Sequence, residues 1–231
     1  MRTVGRVIAT MLFICLSVAY AEAVQPSQQE YVPPDGKGRV VVVVSGQTGP
    51  GSYEYVAKDL AGQGYYVVLV DGKDFWTKRR DGEVLLKAVI TNAQQSPHAL
   101  PGKVAVVGFS LGGASSLTYA TRLPELVEAV VVYYPATYYI TDARDFVSKI
   151  KVPTLMFAGG RDTYKNCCVI ETARKLADAA KASEGKATLE VVEYPYAGHG
   201  FSIKSGSGWR ADDAADAFRR TLDHLRQYSG S

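Results

Sequence analysis

The chain has 231 residues, 47% of them hydrophobic, which is enough for one sizeable core and too few for two ordinary domains with a linker. Its 26 Lys and Arg against 23 Asp and Glu leave a net charge of +3. The basic residues are dispersed and do not interleave with aromatics, so nothing in the balance points to nucleic acid. Three cysteines are too few for a disulfide scaffold.

Residues 1–21 read as a secretory signal. Arg2 and Arg6 give the positive start, residues 7–18 the apolar middle, and Ala19-Tyr20-Ala21 the small-residue cleavage site. The apolar stretch falls short of the roughly 20 residues that cross a bilayer, so no permanent membrane anchor is expected. The mature chain would begin near Glu22, carry a charge of +1 without the two arginines, and lie in the periplasm or outside a bacterial cell. Cys15 lacks the small residues that precede a lipidated cysteine and would leave with the signal. Residues 22–38 are expected to form a flexible lead-in, because residues 25–37 are rich in Gln, Ser, Pro and Gly. The folded domain is assigned to residues 39–228.

Residues 39–45 contain five consecutive valines, too short and too β-branched a run for a helix but suited to a strand buried on both faces. Residues 65–70, 103–107, 129–133, 154–158 and 188–193 repeat that pattern. Helical segments fall between and after them, at 53–61, 83–94, 111–122, 143–150, 167–182 and 209–227. The last carries Ala211, Ala215, Phe218, Leu222 and Leu225 along one face, with Asp212 and Asp213 in its first turn. This alternation predicts an α/β protein with a mainly parallel sheet of at least six strands and helices on both faces. Ligands bind such sheets beyond the carboxyl ends of the strands. Asn166 reads as an N-cap that would place Cys167 and Cys168 in a first helical turn, where thiolate is favoured. Packing as small apolar residues, a ring between the two neighbours, or pairing with other chains remain open for them.

The strand at 103–107 runs into Gly108-Phe109-Ser110-Leu111-Gly112-Gly113. This is a nucleophile elbow: a serine on a strained strand-to-helix turn, with glycines two positions to either side where larger side chains would collide. A serine hydroxyl needs a base, and the base needs a third group to hold its tautomer. Of the three histidines, His98 precedes the strand at the opposite sheet edge and His224 lies inside the terminal helix. His199 sits in a glycine-flanked loop just beyond the last strand, at the edge that carries Ser110. The strand at 154–158 runs into Gly159-Gly160-Arg161-Asp162 and delivers a carboxylate to that edge, whereas Asp142, Asp145 and Asp178 fall in or beside helices. The chain order Ser110, Asp162, His199 is that of α/β-hydrolases and not of the chymotrypsin or subtilisin types.

The oxyanion would be held by the amide of Leu111 and by a second amide from the glycine-rich loop 45–51, with Gln47 preferred and Gly46 or Thr48 possible. Phe75, Trp76, Tyr134, Tyr138, Tyr139, Tyr164 and Phe201 fall on loops at the active edge. Trp76, Tyr134, Tyr138 and Phe201 are the candidate substrate contacts among them, with about half expected to be structural by the burial habits of aromatics. Lys78-Arg79-Arg80 is either a solvated loop or a clamp in which Arg79 would bind a substrate carboxylate.

These residues give the chain its resemblance to the dienelactone hydrolase family of α/β-hydrolases, over roughly residues 39–226. Its marks are the elbow at 108–113, the pair Tyr133-Tyr134, the segment 159–162, and Ala197-Gly198-His199-Gly200-Phe201. The resemblance implies a small hydrolase with little or no lid whose nucleophile, acid and base are Ser110, Asp162 and His199. The family's namesakes use cysteine as nucleophile and cleave a small anionic lactone, so lactone specificity does not carry over to a chain with serine. Serine suits an exported enzyme, since an activated thiolate would be open to oxidation. The expectation is therefore an exported serine hydrolase cleaving carboxylic esters or lactones, monomeric or weakly oligomeric, with no metal or cofactor. The same residues would serve a thioesterase or acyltransferase, and a non-catalytic binding protein on the same fold is the alternative from another class.

Overall fold

The computed structural model describes residues 27–76 and 81–228; the signal segment, and Arg79 with Lys78 and Arg80, lie outside the described residues. The strands are β1 Gln28–Tyr31, β2 Val40–Val44, β3 Tyr66–Val70, β4 Val104–Phe109, β5 Val127–Tyr133, β6 Thr154–Gly159 and β7 Leu189–Tyr194. They form one sheet in the order β1-β3-β2-β4-β5-β6-β7. Only β1 is antiparallel to its neighbour; every other pairing is parallel. The helices are α1 Glu54–Gly62, α2 Gly82–Gln94, α3 Leu111–Thr118, α4 Ala143–Ser148, α5 Ile170–Ala182 and α6 Ala211–Tyr228. This is the α/β-hydrolase fold.

The valine run shows why the sheet lies inside. Successive strand side chains point to opposite faces, so Val41 and Val43 pack against α1 and α6, while Val40, Val42 and Val44 face the core under α2, α3, α4 and α5. All five valines are buried, each contributing about 1.5–3 kcal/mol relative to exposure. Both faces are covered, so a strand with no polar alternation is what the position requires.

One expectation is corrected. The segment read as a flexible lead-in contains β1, whose residues 28 to 31 pair with β3 from Val70 back to Val67. Only its two ends, Gln28 and Tyr31, are half-buried, with Tyr31 packed against the core under α1, and four residues without alternation do not stand out from a Gln-, Ser- and Pro-rich stretch.

A second correction concerns Asn166. It has φ 52°, and α5 starts only at Ile170 after Val169, with no side-chain cap. The chain turns through left-handed Lys165 and Asn166, and the Cys167 carbonyl accepts N–H bonds from Thr137 and Tyr138. That carbonyl is thus committed outside any helix, and the two cysteines form a disulfide with each other.

The chain steps from β2 to β3 on one side and returns to β4 on the other. The carboxyl ends of β2 and β4 therefore flank a topological switch point, where α/β sheets open a crevice. Ser110 follows β4 there. At the far side of the sheet, α6 is tied to β7 by Tyr194, whose hydroxyl donates to Asp216 at 2.9 Å. Burial alone would raise the Asp216 pKa, but bonds from Arg220, Arg219 and Tyr194 outweigh it and hold the carboxyl at about 2.

Candidate active site

Ser110 has φ 52° and ψ −111°, a conformation that side chains disfavour. Three backbone bonds hold it: its N–H donates to Tyr133 at 3.0 Å, and its carbonyl accepts from Ala114 at 2.9 Å and Ala136 at 3.0 Å. The flanking glycines are required by neighbouring elements more than by the serine itself. A Cβ on Gly108 would run into Ser116 Oγ and stand 2.6 Å from the Gly112 carbonyl, and one on Gly112 would strike the Val44 and Ser45 carbonyl oxygens at the end of β2. Bare backbone at both positions lets α3 start directly against β2.

Close approach also brings the acid to the base. A Cβ on Gly159 would lie 2.6 Å from the Ala197 carbonyl oxygen, and one on Gly160 would lie 2.7 Å from that of Pro195. The end of β6 and the loop after β7 thus meet backbone to backbone, joined by the Arg161 N–H to the Ala197 carbonyl at 2.9 Å. Asp162 Oδ2 then lies 2.8 Å from His199 Nδ1, and His199 Nε2 lies 2.9 Å from Ser110 Oγ. The Asp162 carboxylate is wholly buried and its other oxygen accepts the Tyr164 N–H. A carboxylate only accepts, so Nδ1 carries the proton and Nε2 presents its lone pair to the serine.

Two aromatic rings fix the imidazole. Tyr164 stacks on it at 4.6 Å and 7°, and Tyr134 meets it edge-on at 5.0 Å. Burial holds the Tyr134 phenol well above its ordinary pKa, so it stays protonated, with its oxygen 2.9 Å from Ser202 Oγ. Neither of the other histidines takes part: His98 Nδ1 bonds the Gly36 carbonyl and His224 Nε2 that of Pro153.

Leu111 opens α3, whose first-turn amides have no partner within the helix. A Cβ on Gly46 would stand 3.2 Å from Ser110 Cβ and collide with the Tyr53 hydroxyl, so bare backbone at this position is what lets the loop after β2 border the serine. Gln47, Thr48, Tyr53, Ser110, Tyr164, His199 and Ile203 line one cleft of about 210 Å³. A second cavity of about 240 Å³, beneath α1 and α6, contains none of the three central residues.

The expected substrate contacts fare less well. Phe201 and Tyr134 are buried, Phe201 among the rings of Tyr133, Tyr134 and Tyr194, and Tyr134 between Phe109 and His199. Both are packing residues, because a parallel sheet covered on both faces draws large rings at its strand ends inward. Phe75 is buried as well. Trp76 is partly buried against Tyr119 and Tyr139, and its indole N–H donates to the Leu111 carbonyl. Tyr138 is 67% exposed and does not line the cleft. Tyr53 and Ile203 were not foreseen: Tyr53 reads as the start of a helix, and no residue pattern marks Ile203. Among the described residues, Cys167, Cys168 and His199 are the one group of three side chains whose metal-ligand atoms converge.

A model of the dienelactone hydrolase family matches residues 72–229. The chain belongs to the dienelactone hydrolase family. As a hydrolase of that type it is 29% identical over 246 residues to a Yersinia pestis protein provisionally named a carboxymethylenebutenolidase, covering 91% of this chain and 89% of that one. It is 34% identical over 140 residues to a Pseudomonas putida carboxymethylenebutenolidase, covering 61% of this chain and 55% of that one, and it spans about half the length of several further relatives. A Klebsiella pneumoniae structure provisionally described as a dienelactone hydrolase superposes with a TM-score of 0.71 at 22% identity, over 87% of this chain and 99% of that one; that likeness speaks to the fold.

Proposed function

We propose that this member of the dienelactone hydrolase family is an exported serine hydrolase that cleaves small carboxylic esters or lactones through an acyl-enzyme. The observation that carries the reading is the unbroken line Ser110 Oγ, His199 Nε2, His199 Nδ1, Asp162 Oδ2, with links of 2.9 and 2.8 Å. Ser110 Oγ attacks the carbonyl carbon as its proton passes to His199 Nε2, and buried Asp162 stabilises the imidazolium. The Leu111 and Gln47 amides receive the oxyanion. His199 returns the proton to the leaving alkoxide, then takes one from water, whose oxygen attacks the acyl carbon and frees Ser110.

The cleft of about 210 Å³ is smaller than the roughly 300–1,000 Å³ of drug-sized sites, which favours a short acyl group. Export is supported by the signal-like residues 1–21 and by a disulfide, a bond suited to an oxidising compartment. The test is labelling by a fluorophosphonate probe. Wild type should label stoichiometrically and Ser110→Ala not at all; a wild-type chain that never labels would leave a binding protein on a hydrolase fold. Rates across esters, lactones and thioesters graded by acyl length and charge then fix the substrate class.

A further inference from the structure

The loop from Asp162 to Cys168 bears on one imidazole from three directions. It supplies the Asp162 carboxylate on Nδ1, the Tyr164 ring stacked on the face, and the two sulfurs of Cys167 and Cys168. Each sulfur and a ring nitrogen of His199 lie within 4.8 Å of one another. The pair is anchored: the Cys167 carbonyl accepts N–H bonds from Thr137 at 2.7 Å and Tyr138 at 3.0 Å, and Cys168 is buried against Ala114 and Ala136. The disulfide plays no part in the hydrolytic steps above.

We propose that the reduced, dithiol form of Cys167 and Cys168 makes, with His199, a three-ligand site for a thiophilic divalent cation such as Zn²⁺, and that filling it switches hydrolysis off. The inference rests on the reading of His199 as the base. Zinc holds thiolate sulfur at about 2.3 Å and imidazole nitrogen at about 2.0–2.1 Å. Tetrahedral ligands at those radii stand roughly 3.5–4 Å apart, and both sulfurs already lie within 4.8 Å of the His199 ring's ligand nitrogen, so once the S–S bond is reduced and the sulfurs separate, the imidazole is within reach of both. Because Nδ1 donates to Asp162, the lone pair left for a cation is that of Nε2, the one that takes the serine proton. Cation and proton therefore compete for one site. A carboxylate behind the far ring nitrogen is also the usual outer partner of a zinc-bound histidine. In the disulfide the sulfurs carry no thiolate charge, so oxidation removes two of the three ligands. A phosphine reductant supplies the two electrons and becomes its oxide with oxygen from water, leaving two thiols; the cation then displaces their two protons to solvent.

The test uses full-length protein reduced with a phosphine, desalted without oxygen and titrated with Co²⁺ alone. One equivalent should produce a thiolate-to-cobalt charge-transfer band that Zn²⁺ abolishes. One equivalent of Zn²⁺ should lower the ester hydrolysis rate of the reduced enzyme at least tenfold, reversibly with a chelator, and that of the oxidised enzyme less than twofold. His199→Ala should bind Co²⁺ at least tenfold more weakly, and the double variant Cys167→Ala/Cys168→Ala should give no band and resist Zn²⁺. Should that variant fail to fold, carbamidomethylated wild type replaces it for the band. The proposal is overturned by an absent band after reduction, by equal Co²⁺ binding in oxidised protein, by undiminished affinity in His199→Ala, or by equal inhibition without the thiols. The band needs no turnover, so its loss overturns the metal site and leaves the hydrolase reading standing, while failure of fluorophosphonate labelling overturns the hydrolase reading and with it the inhibition, and leaves the band as the test of the site.

Discussion

Gly159→Ala tests whether close backbone approach is what aligns the site. Neither Gly159 nor its neighbour needs a left-handed backbone, so the substitution adds a methyl group and no torsional strain. The new Cβ would stand 2.6 Å from the Ala197 carbonyl oxygen and 3.1 Å from that of Gly198, the two residues before His199. Restoring an ordinary contact of about 3.4 Å moves that loop by roughly 0.8 Å, which stretches the 2.8 Å bond between Asp162 and His199 to or beyond the limit of a useful hydrogen bond. Misplacement on that scale costs about 10–100-fold in kcat, while overpacking costs about 1–3 kcal/mol of stability. Steady-state kinetics on a nitrophenyl ester, paired with urea unfolding, separate the two effects. We expect kcat to fall with KM changed less than about threefold by the same reasoning. A Gly159→Ala enzyme with full kcat and unaltered stability would refute the argument.

Asp162→Asn should leave the fold intact and lower kcat by about 10³–10⁴, because an amide facing Nδ1 favours the tautomer that points a proton at Ser110; kinetics beside an unchanged circular dichroism spectrum check this. Tyr134→Phe keeps the ring on His199 but leaves the buried Ser202 hydroxyl without its 2.9 Å partner, so stability should fall by about 1–2 kcal/mol in urea with kcat within about fivefold of wild type, since no reacting group is touched. Asp216 has its carboxyl held at about 2 against an ordinary 3.8, so its contribution is present above pH 3.8 and is lost as pH falls towards 2. The site is about a third exposed, and screening reduces its worth to about 1 kcal/mol. Unfolding of Asp216→Asn at neutral pH should show that loss, which should vanish near pH 2.

What the sequence made legible follows from which constraints are local. The sheet was readable because burial on both faces turns β2 to β6 into apolar runs, and the elbow because its glycines answer to atoms a few residues or one strand away. Asp162 and His199 could be placed since each follows a strand whose end fixes its sheet edge. The pocket could not be read in the same way. Whether an aromatic at a strand end turns inward, as Phe201 and Tyr134 do, or stacks on the imidazole, as Tyr164 does, depends on rings contributed by distant strands. The edge strand β1 was hidden because its pairing partner, β3, supplies most of the order in a stretch of weak propensity. The helix expected from Cys167 failed for a similar reason, the Cys167 carbonyl being claimed by amides some thirty residues earlier.

The backbone at Ser110 yields a prediction opposite in sign to the general rule. Replacing alanine by glycine usually destabilises a protein by about 0.4–1 kcal/mol, because glycine has more freedom to lose on folding. At φ 52° and ψ −111°, however, any Cβ stores strain of the order of 1–3 kcal/mol, and the three bonds to Tyr133, Ala114 and Ala136 keep the residue from relaxing. Ser110→Gly and Ser110→Ala both lack the hydroxyl, so the difference between them isolates the Cβ. Strain should exceed the entropic term, leaving the glycine variant more stable than the alanine variant by about 1 kcal/mol. Urea unfolding of the two inactive proteins at equal pH measures that difference directly. An alanine variant that is the more stable of the two would mean that the elbow is relaxed in solution, and that the serine owes its position to the Tyr133–Ala136 and α3 bonds without stored strain.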